Sequence, residues 1–473
     1  ITTRLVGSEM CIRDRIKALA PNAVIFGRED VRWCGNEAGG TRSTEWNVIP
    51  YLANPDTMSN FADMTDKDLG SREQLYKAKY LHYQQAETNT SIREGWFYRD
   101  DTHQKVRSTD DVFDIYERAV GGNSTFLLNI PPNRDGKFSP TDVAVLKETG
   151  QRIRETYGTD LFRQAKGPKE VLDQNADTYV TADKDGAGIV ISTPQPVTLN
   201  RLVLQEAIAT NGERVERHAV DAWIDGGWKE IAHATNIGYK RILRFPDVTT
   251  DKIRVRILES RLTPAICTIS AHHYKARPPR LSAQRSIDGL VTIEPMAQEF
   301  GWKAHGENIA ENLNAGFKIY YTTDGTEPSP GSTEYKAPFL MGNSELKAVA
   351  ILNGEKGAIL QERFGLVKKG WKIADKTAQS LAIDLGSQQT VSGFAFTPQK
   401  QGGKGTVAGI IRISNDGKNW KEVERFEFGN LINDPSKRYH HFKQTVKARY
   451  VQVEAAEIAA RTEAAALAGI DIF

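Results

Sequence analysis

One stretch of the chain combines carboxylates with indole rings in a pattern that suits chemistry on a sugar. The segment VRWCGNEAGGTRSTEW (31–46) carries Glu37 and Glu45 between Trp33 and Trp46, beside a glycine pair. Apolar neighbours disfavour the charged form of a carboxylic acid and raise its pKa, and a general acid for glycosidic cleavage needs such a shift. A solvated loop carboxylate is the competing interpretation of Glu37, since most carboxylates outside a core are hydrated.

Two further stretches have a similar character. AETNTSIREGWFY (86–98) contains Glu87 and Trp96, and AVGGNSTFLLNIPPNRDG (119–136) surrounds a short apolar run. A glycosidase needs a second carboxylate, about 5–5.5 Å from the acid for retention of configuration or about 6.5–9.5 Å for inversion. Spacing along the chain does not provide that distance.

The elements around these stretches predict a mixed α/β segment over residues 16–163. The apolar runs AVIFG (23–27) and FLLNI (126–130) predict buried strands, while 108–120 and 139–157 have helical spacing. Alternation of strand and helix predicts parallel pairing, with functional groups gathered at the carboxyl ends of the strands.

From about residue 168 the pattern changes to short alternating strands separated by Gly, Asp and Asn turns, which is typical of β-sandwiches. The segment IDGGWKEI (224–231) is echoed by NDGKNWKEV (415–423), and each is followed by a similar strand. The tail therefore predicts two related sandwiches with a different small β domain between them.

Composition limits the remaining function classes. The chain has 473 residues and a net charge of +2, so its charge does not imply a nucleic-acid partner. No apolar run approaches the roughly 20 residues of a membrane span. Cys11, Cys34 and Cys267 are too few and too scattered for a disulfide framework, and His82 and His103 lack metal-ligand spacing. We expect no metal and no cofactor.

The three stretches, in this order, resemble glycoside hydrolase family 29, the α-L-fucosidases, and most closely the branch that removes α-1,3- and α-1,4-linked fucose. The resemblance implies a (β/α)8-like barrel, of which residues 16–163 are the C-terminal half, and a retaining mechanism. It makes Glu37 the acid/base residue, with Glu45 in reserve. The substrate-binding residues that we infer are Arg32, Trp33, Asn36, Trp46, Glu87 and Trp96.

The chain departs from that family in one respect. The family nucleophile is an Asp in a WFDG-type motif, and no such motif occurs here. The first 15 residues, ITTRLVGSEMCIRDR, resemble a translated sequencing adapter and are predicted to be non-native. We therefore expect an N-terminally truncated fragment that does not hydrolyse fucosides by itself. The resemblance also implies a secreted or periplasmic location and fucosylated glycans as partners.

The β tail carries further resemblances. Residues 168–277 and 370–473 resemble discoidin-type, galactose-binding-like domains of the carbohydrate-binding module family 32 kind, and 282–367 resemble the Ig-like C-terminal domain of chitobiase-type enzymes. Trp228 and Trp420 occupy equivalent hairpin positions, where packing is favoured over sugar stacking. Two alternatives remain open: a non-catalytic carbohydrate-binding protein, favoured by the missing nucleophile, and an adhesion or scaffold protein that uses only the β domains.

Overall fold

The computed structural model divides the chain into two compact units. The first holds the described residues up to Lys275, and the second holds those from Ala276 onward. The residues that the structure describes are 8–26, 30–35, 37–54, 66–93, 95–98, 106–181, 188–295, 316–377, 379–397, 405–428, 437–459 and 469–473.

Helices among the described residues lie mainly in the first unit's N-terminal part. They are α1 (Ser8–Leu19), α2 (Arg72–Lys77), α3 (Thr109–Val120), α4 (Pro140–Tyr157), α5 (Ile208–Asn211) and a 3₁₀ turn (Lys169–Val171). Both predicted helices are confirmed. Ser108 caps α3 by accepting a hydrogen bond from the Asp111 amide at 3.1 Å, and Pro140 opens α4. None of the described helices is long and apolar enough to span a bilayer.

The α/β part contains a parallel sheet, which confirms the parallel pairing predicted from the alternation of strand and helix. Its strands are β1 (Val31–Trp33), β2 (Val48–Tyr51), β3 (Tyr80–Tyr83), β4 (Gln85–Ser91) and β5 (Thr125–Asn129). Strands β1, β4 and β5 pair in parallel, and β2 and β3 form an antiparallel pair. A strand, β5, is therefore present where one was predicted at 126–130, but its predicted burial is wrong, because Leu127 is 42% exposed. The half-barrel stays a prediction.

The buried strand predicted at 23–27 is wrong. Residues 27–29 lie outside the described part, and Phe26 makes only an isolated parallel bridge to Val31. Val24 and Phe26 are exposed, at 70% and 55%. An apolar run alone does not establish burial, because burial also requires a neighbouring element to cover it.

The segment for which the sequence predicts the first sandwich follows within the same unit and forms one six-stranded sheet, and we keep the name first sandwich for it. Its strands are β6 (Val180–Thr181), β7 (Ile189–Glu206), β8 (Val215–Ile224), β9 (Gly227–Ala234), β10 (Arg241–Ser260) and β11 (Ala265–His272). They pair antiparallel in the order β6-β11-β7-β10-β8-β9 around a buried core that includes Leu202, Val220 and Ile253. Asp225 and Gly226 form the β8–β9 turn with φ of 53° and 78°, the backbone that an Asp-Gly hairpin favours.

The second unit holds the two remaining β domains. Its strands are β12 (Leu281–Arg285), β13 (Leu290–Pro295), β14 (Lys318–Thr322), β15 (Thr333–Glu334), β16 (Phe339–Leu340), β17 (Ser344–Leu352), β18 (Glu355–Lys356), β19 (Leu360–Phe364), β20 (Lys372–Lys376), β21 (Ser380–Phe396), β22 (Gly405–Ser414), β23 (Lys421–Glu427), β24 (Arg438–Ala459) and β25 (Ile470–Ile472). Strands β12 to β19 form two small sheets, and β20 to β25 form one six-stranded sheet.

The predicted internal repeat is confirmed by strand pairing. In the first sandwich, β7 pairs with β10, β10 with β8, β8 with β9, and β7 with β11. The last domain repeats this connectivity with β21, β24, β22, β23 and β25. The echoed tryptophans pack as expected: Trp228 lies 5.3 Å from Trp223 and Trp420 lies 6.4 Å from Tyr450, between ring centroids.

One buried histidine of the first sandwich makes stability depend on pH. His218 on β8 is fully buried, its Nδ1 lies 2.7 Å from the Thr235 carbonyl oxygen, and burial lowers its pKa to about 3. The unfolded chain binds this proton near pH 6.5, so the histidine reduces the free energy of unfolding as pH falls from 6.5 towards 3, by up to about 1.4 kcal/mol per pH unit. We expect His218→Asn to lose stability more slowly than the wild type over that range, in urea titrations from pH 7 to pH 4.

The comparison must be made variant against wild type at each pH. Burial raises the pKa of Glu206 to about 7. Its protonation therefore increases the free energy of unfolding as the pH falls below 7, which is opposite to the effect of His218. His233→Asn is the matched control, because His233 is exposed on the neighbouring strand. Equal pH slopes for His218→Asn and the wild type would contradict the prediction.

Candidate functional site

The carboxyl end of β1 leads into a loop, described at residues 34–35 and 37–47, that carries Glu37. We call this segment the Glu37 loop. Glu37 is exposed on it. Gly39 lets the loop turn close to α3: its φ is 79°, and a Cβ there would lie 3.0 Å from the Ile115 side chain. Gly39 therefore serves a close approach of the loop backbone to α3.

A chain of hydrogen bonds links the three stretches singled out in the sequence, from Glu37 through Trp96 to Asn129. Trp96 Nε1, from the loop after β4, donates a hydrogen bond to Glu37 Oε2 at 2.8 Å. Asn129 Nδ2, at the end of β5, donates to the Trp96 carbonyl oxygen and to Ser91 Oγ, each at 3.0 Å. Because β1, β4 and β5 are parallel neighbours, their carboxyl ends bring these side chains to one edge of the sheet.

A second group of side chains, which includes two of the predicted substrate-binding residues, lies on a half-buried face of the same sheet. Trp33 on β1 is in register with Glu87 on β4, and Trp33 Nε1 donates to Asn89 Oδ1 at 3.3 Å. Burial raises the pKa of Glu87, and a hydrogen bond with Asn89 acts against that rise. Trp33 and Glu87 thus share one face with a polar partner, which is compatible with the substrate-binding roles predicted for them. Those roles stay predictions.

Glu45, the reserve candidate, is fully buried in an ion-pair cluster. Arg32 donates to Glu45 Oε1 at 2.5 Å, and Arg42 donates to it at 2.9 Å. The Arg42 amide and the Cys34 thiol contact Glu45 Oε2 at 3.1 and 3.8 Å. A carboxylate held by two guanidinium groups away from solvent suits a structural role better than proton exchange with a substrate.

Arg32 and Trp46 also lie inside the protein. Arg32 is 1% exposed, donates to the Trp46 carbonyl oxygen at 2.6 Å, and has two further guanidinium nitrogens, Nε and Nη1, with no partner among the described residues. Trp46 is 4% exposed, and the Arg261 guanidinium lies 3.6 Å from its ring centroid. Neither side chain is brought to Glu37 by any described contact, so we expect both to act through the loop rather than on a sugar.

Asn36 and His103 lie outside the described residues. His82 packs edge-on against Tyr51, with ring centroids 5.9 Å apart. Within the described part of the chain, no group of three or more His, Cys, Asp or Glu side chains is placed to hold a metal ion.

Sequence reasoning missed the polar side chains that support the loop. Asn123, in the third stretch, donates through Nδ2 to the Glu45 carbonyl oxygen at 2.8 Å and to Glu213 Oε1 at 2.7 Å. Its φ is 67°, a left-handed conformation that Asn adopts more readily than most residues. The Gly-Gly-Asn sequence before β5 was an available signal for such a turn, but the partners lie 78 residues before it and 90 residues after it along the chain.

Comparison with known proteins agrees with the sequence resemblance. Residues 45–157 match the family model of alpha-L-fucosidase, residues 309–364 match that of the Fn3 associated domain, and residues 341–468 match that of the F5/8 type C domain. Alpha-L-fucosidase 1 of Arabidopsis thaliana is 30% identical over 276 residues, which cover 53% of this chain and 51% of that protein. The crystal structure of a "putative alpha-L-fucosidase" from Bacteroides ovatus ATCC 8483 is 29% identical, has a TM-score of 0.52, and covers 98% of this chain and 66% of that one.

These matches confirm the resemblance to the α-L-fucosidases of glycoside hydrolase family 29 and to a discoidin-like domain, and glycoside hydrolase is the enzyme class that the chain resembles. The chain spans about half the length of the curated relatives that it matches.

Proposed function

We propose, from the premise that this chain carries α-L-fucosidase sequence, that it supplies the acid/base half of a retaining exo-α-L-fucosidase for α-1,3- and α-1,4-linked fucose. The observation that carries the proposal is the convergence of three motif stretches on Glu37 through Trp96 and Asn129. The family match and the A. thaliana relative support the same activity.

In this mechanism Glu37 acts twice. Its carboxylic acid first protonates the glycosidic oxygen as the bond to fucose breaks, and its carboxylate then removes a proton from the water that releases fucose. The Trp96 indole N–H fixes the direction of one Glu37 oxygen at 2.8 Å and leaves the other oxygen available to the leaving group. Exposure of Glu37 gives a substrate access to it, whereas Glu45 is enclosed.

The retaining mechanism also requires a nucleophilic carboxylate about 5–5.5 Å from the acid. No Trp-Phe-Asp-Gly sequence occurs among the 473 residues. We therefore propose that residues 1–473 by themselves release no fucose, and that activity belongs to the gene product in which residues 16–473 are combined with such a carboxylate. A secreted or periplasmic location is proposed on the resemblance alone.

The proposal is tested on the gene product that contains residues 16–473. We expect release of fucose from trisaccharides with α-1,3- or α-1,4-linked fucose, and weaker release from an α-1,2-linked disaccharide. Proton NMR of the first product is expected to show the α anomer, because two displacements restore the starting configuration. A β anomer as first product would exclude the retaining mechanism, and absence of fucose release from every linkage would exclude the activity.

Glycan binding by the β domains is a second proposed function. It is supported by the match of residues 341–468 to the F5/8 type C domain. In the last sandwich, however, Trp420 packs against Tyr450, which leaves less of its ring for stacking on a sugar. A glycan array probed with the intact chain tests this function independently of hydrolysis.

A further inference from the structure

The far end of the Glu37 loop is fastened to the first β-sandwich. Thr235 Oγ1, in the turn after β9, donates to the Ser43 carbonyl oxygen at 2.6 Å. Asn236 Nδ2 donates to the Glu45 carbonyl oxygen at 2.7 Å, and Asn236 is completely buried. These side chains hold the backbone of the loop a few residues after Glu37, and they come from residues about 190 positions away along the chain.

Further hydrogen bonds hold Asn236 and the end of the Glu37 loop. Arg241 donates to Asn236 Oδ1 at 2.5 Å and to the Asn236 carbonyl oxygen at 2.7 Å. The buried Glu213 carboxylate accepts from the Asn47 and Val48 amides at 2.8 and 3.1 Å, where the loop enters β2. The buried Asn236 side chain is bonded at both its oxygen and its nitrogen, so it has a single favourable orientation. That orientation fixes where the Glu45 carbonyl oxygen can lie.

Glu45 makes hydrogen bonds both to the first sandwich and to the parallel sheet. Its carbonyl oxygen is bonded to the sandwich through Asn236, and its carboxylate is bonded to Arg32 on β1. The loop end therefore has one anchor in the sheet and one in the sandwich. Between these anchors and the end of β1, Glu37 is the exposed carboxylate that the loop presents.

Other contacts between the sandwich and the α/β part are ion pairs between side chains rather than bonds to the loop backbone. Arg201 pairs with Glu117 at 2.6 Å and Arg244 with Asp114 at 2.7 Å, so these bonds join side chains of α3 to the sandwich. They attach the two parts to each other without touching the Glu37 loop. The contacts of Thr235 and Asn236 are bonds to the loop's own carbonyl groups, and such bonds restrict the path of the loop directly.

We propose that Thr235 and Asn236 are positioning residues for the acid/base carboxylate, so that the first β-sandwich is part of the proton-transfer apparatus. This inference rests on the proposed function of Glu37. Removal of the Asn236 amide takes from the Glu45 carbonyl oxygen one of the two donors that the described residues give it, the other being Asn123. The loop then samples positions in which Glu37 lies off the line to the leaving-group oxygen, which slows only the step that needs its proton.

The first test measures loop motion without any assay of activity. Amide hydrogen exchange of peptides covering residues 37–46 is compared in the 473-residue chain for wild type, Asn236→Ala and Asn200→Ala. Asn200 is the matched control: it is a buried amide of the same sandwich that bonds to Asp247 and to the Tyr274 backbone. We expect exchange in the loop to be roughly fivefold to tenfold faster in Asn236→Ala only, the change that one lost hydrogen bond produces.

The second test uses the gene product that contains residues 16–473 and two substrates, a Lewis-type trisaccharide and an aryl fucoside with an activated leaving group. Asn236→Ala is expected to lower kcat on the trisaccharide by about tenfold to a hundredfold, with KM unchanged and little effect on the aryl fucoside. Asn200→Ala is expected to change both rates equally, through the folded fraction.

The outcomes separate the two proposals. Unchanged loop exchange in Asn236→Ala, or equal acceleration in Asn200→Ala, overturns the positioning role whatever the activity. Equal loss on both substrates overturns it as well. If Glu37→Ala distinguishes the substrates and Asn236→Ala does not, the proposed function survives and only the positioning role fails. If Glu37→Ala fails to distinguish them, the acid/base assignment fails, and the positioning role fails with it.

Discussion

Replacing Glu37 with alanine, in the gene product that contains residues 16–473, is expected to lower kcat on α-1,3- and α-1,4-fucosylated trisaccharides by about 10²–10⁴-fold. A sugar alkoxide is a poor leaving group that must be protonated as the bond breaks, and Glu37 supplies that proton. An activated aryl fucoside departs without protonation, so its first step is expected to lose less than about tenfold. Steady-state kinetics on both substrates measure the difference.

Small nucleophiles provide a second measurement on the same variant. Azide attacks a fucosyl-enzyme without help from a general base, so it is expected to restore turnover of the aryl fucoside by Glu37→Ala and to yield fucosyl azide. Glu170→Gln is the matched control, because Glu170 is exposed and distant in sequence from the Glu37 loop. Equal losses on both substrates, with no rescue by azide, would exclude an acid/base role for Glu37.

Replacing Glu45 with glutamine is expected to have the largest effect on stability. Glu45 is 0% exposed and compensates Arg32, whose guanidinium is also 0% exposed. Loss of one partner of a buried ion pair leaves an uncompensated charge in the interior and costs about 3–5 kcal/mol. Urea denaturation is expected to show that reduction in the free energy of unfolding, measured at the unfolding transition of the first unit.

The double variant Arg32→Met/Glu45→Leu provides the control. Apolar replacement of both partners removes the uncompensated charge, so we expect it to be clearly more stable than Glu45→Gln. This experiment also separates the two carboxylates of the Glu37 loop. A Glu45→Gln protein that kept its stability but lost activity only on poor leaving groups would transfer the acid/base role from Glu37 to Glu45.

Much of the local structure follows from the sequence because its signals are local. Ser108 and Pro140 stand at the starts of the two predicted helices, both of which are confirmed, and Asp225-Gly226 forms a hairpin turn of the kind that an Asp-Gly pair favours. The repeat of that hairpin correctly indicated two domains with the same strand connectivity. The run at 23–27 failed as a predictor of burial, because its exposure depends on what lies next to it in space.

By itself, the sequence determined the family resemblance, the three stretches of the site and the repeated sandwich, since each depends on residue types at short spacing. Only the tertiary structure separated the surroundings of Glu37 and Glu45, which stand on one loop with tryptophans on either side; the acid/base role of Glu37 stays a proposal. Glu45 is enclosed by Arg32 and Arg42, while Glu37 is exposed beside Trp96. Burial and charge compensation arise from contacts between distant parts of the chain, among them Asn236 of the sandwich, and no local pattern encodes those contacts.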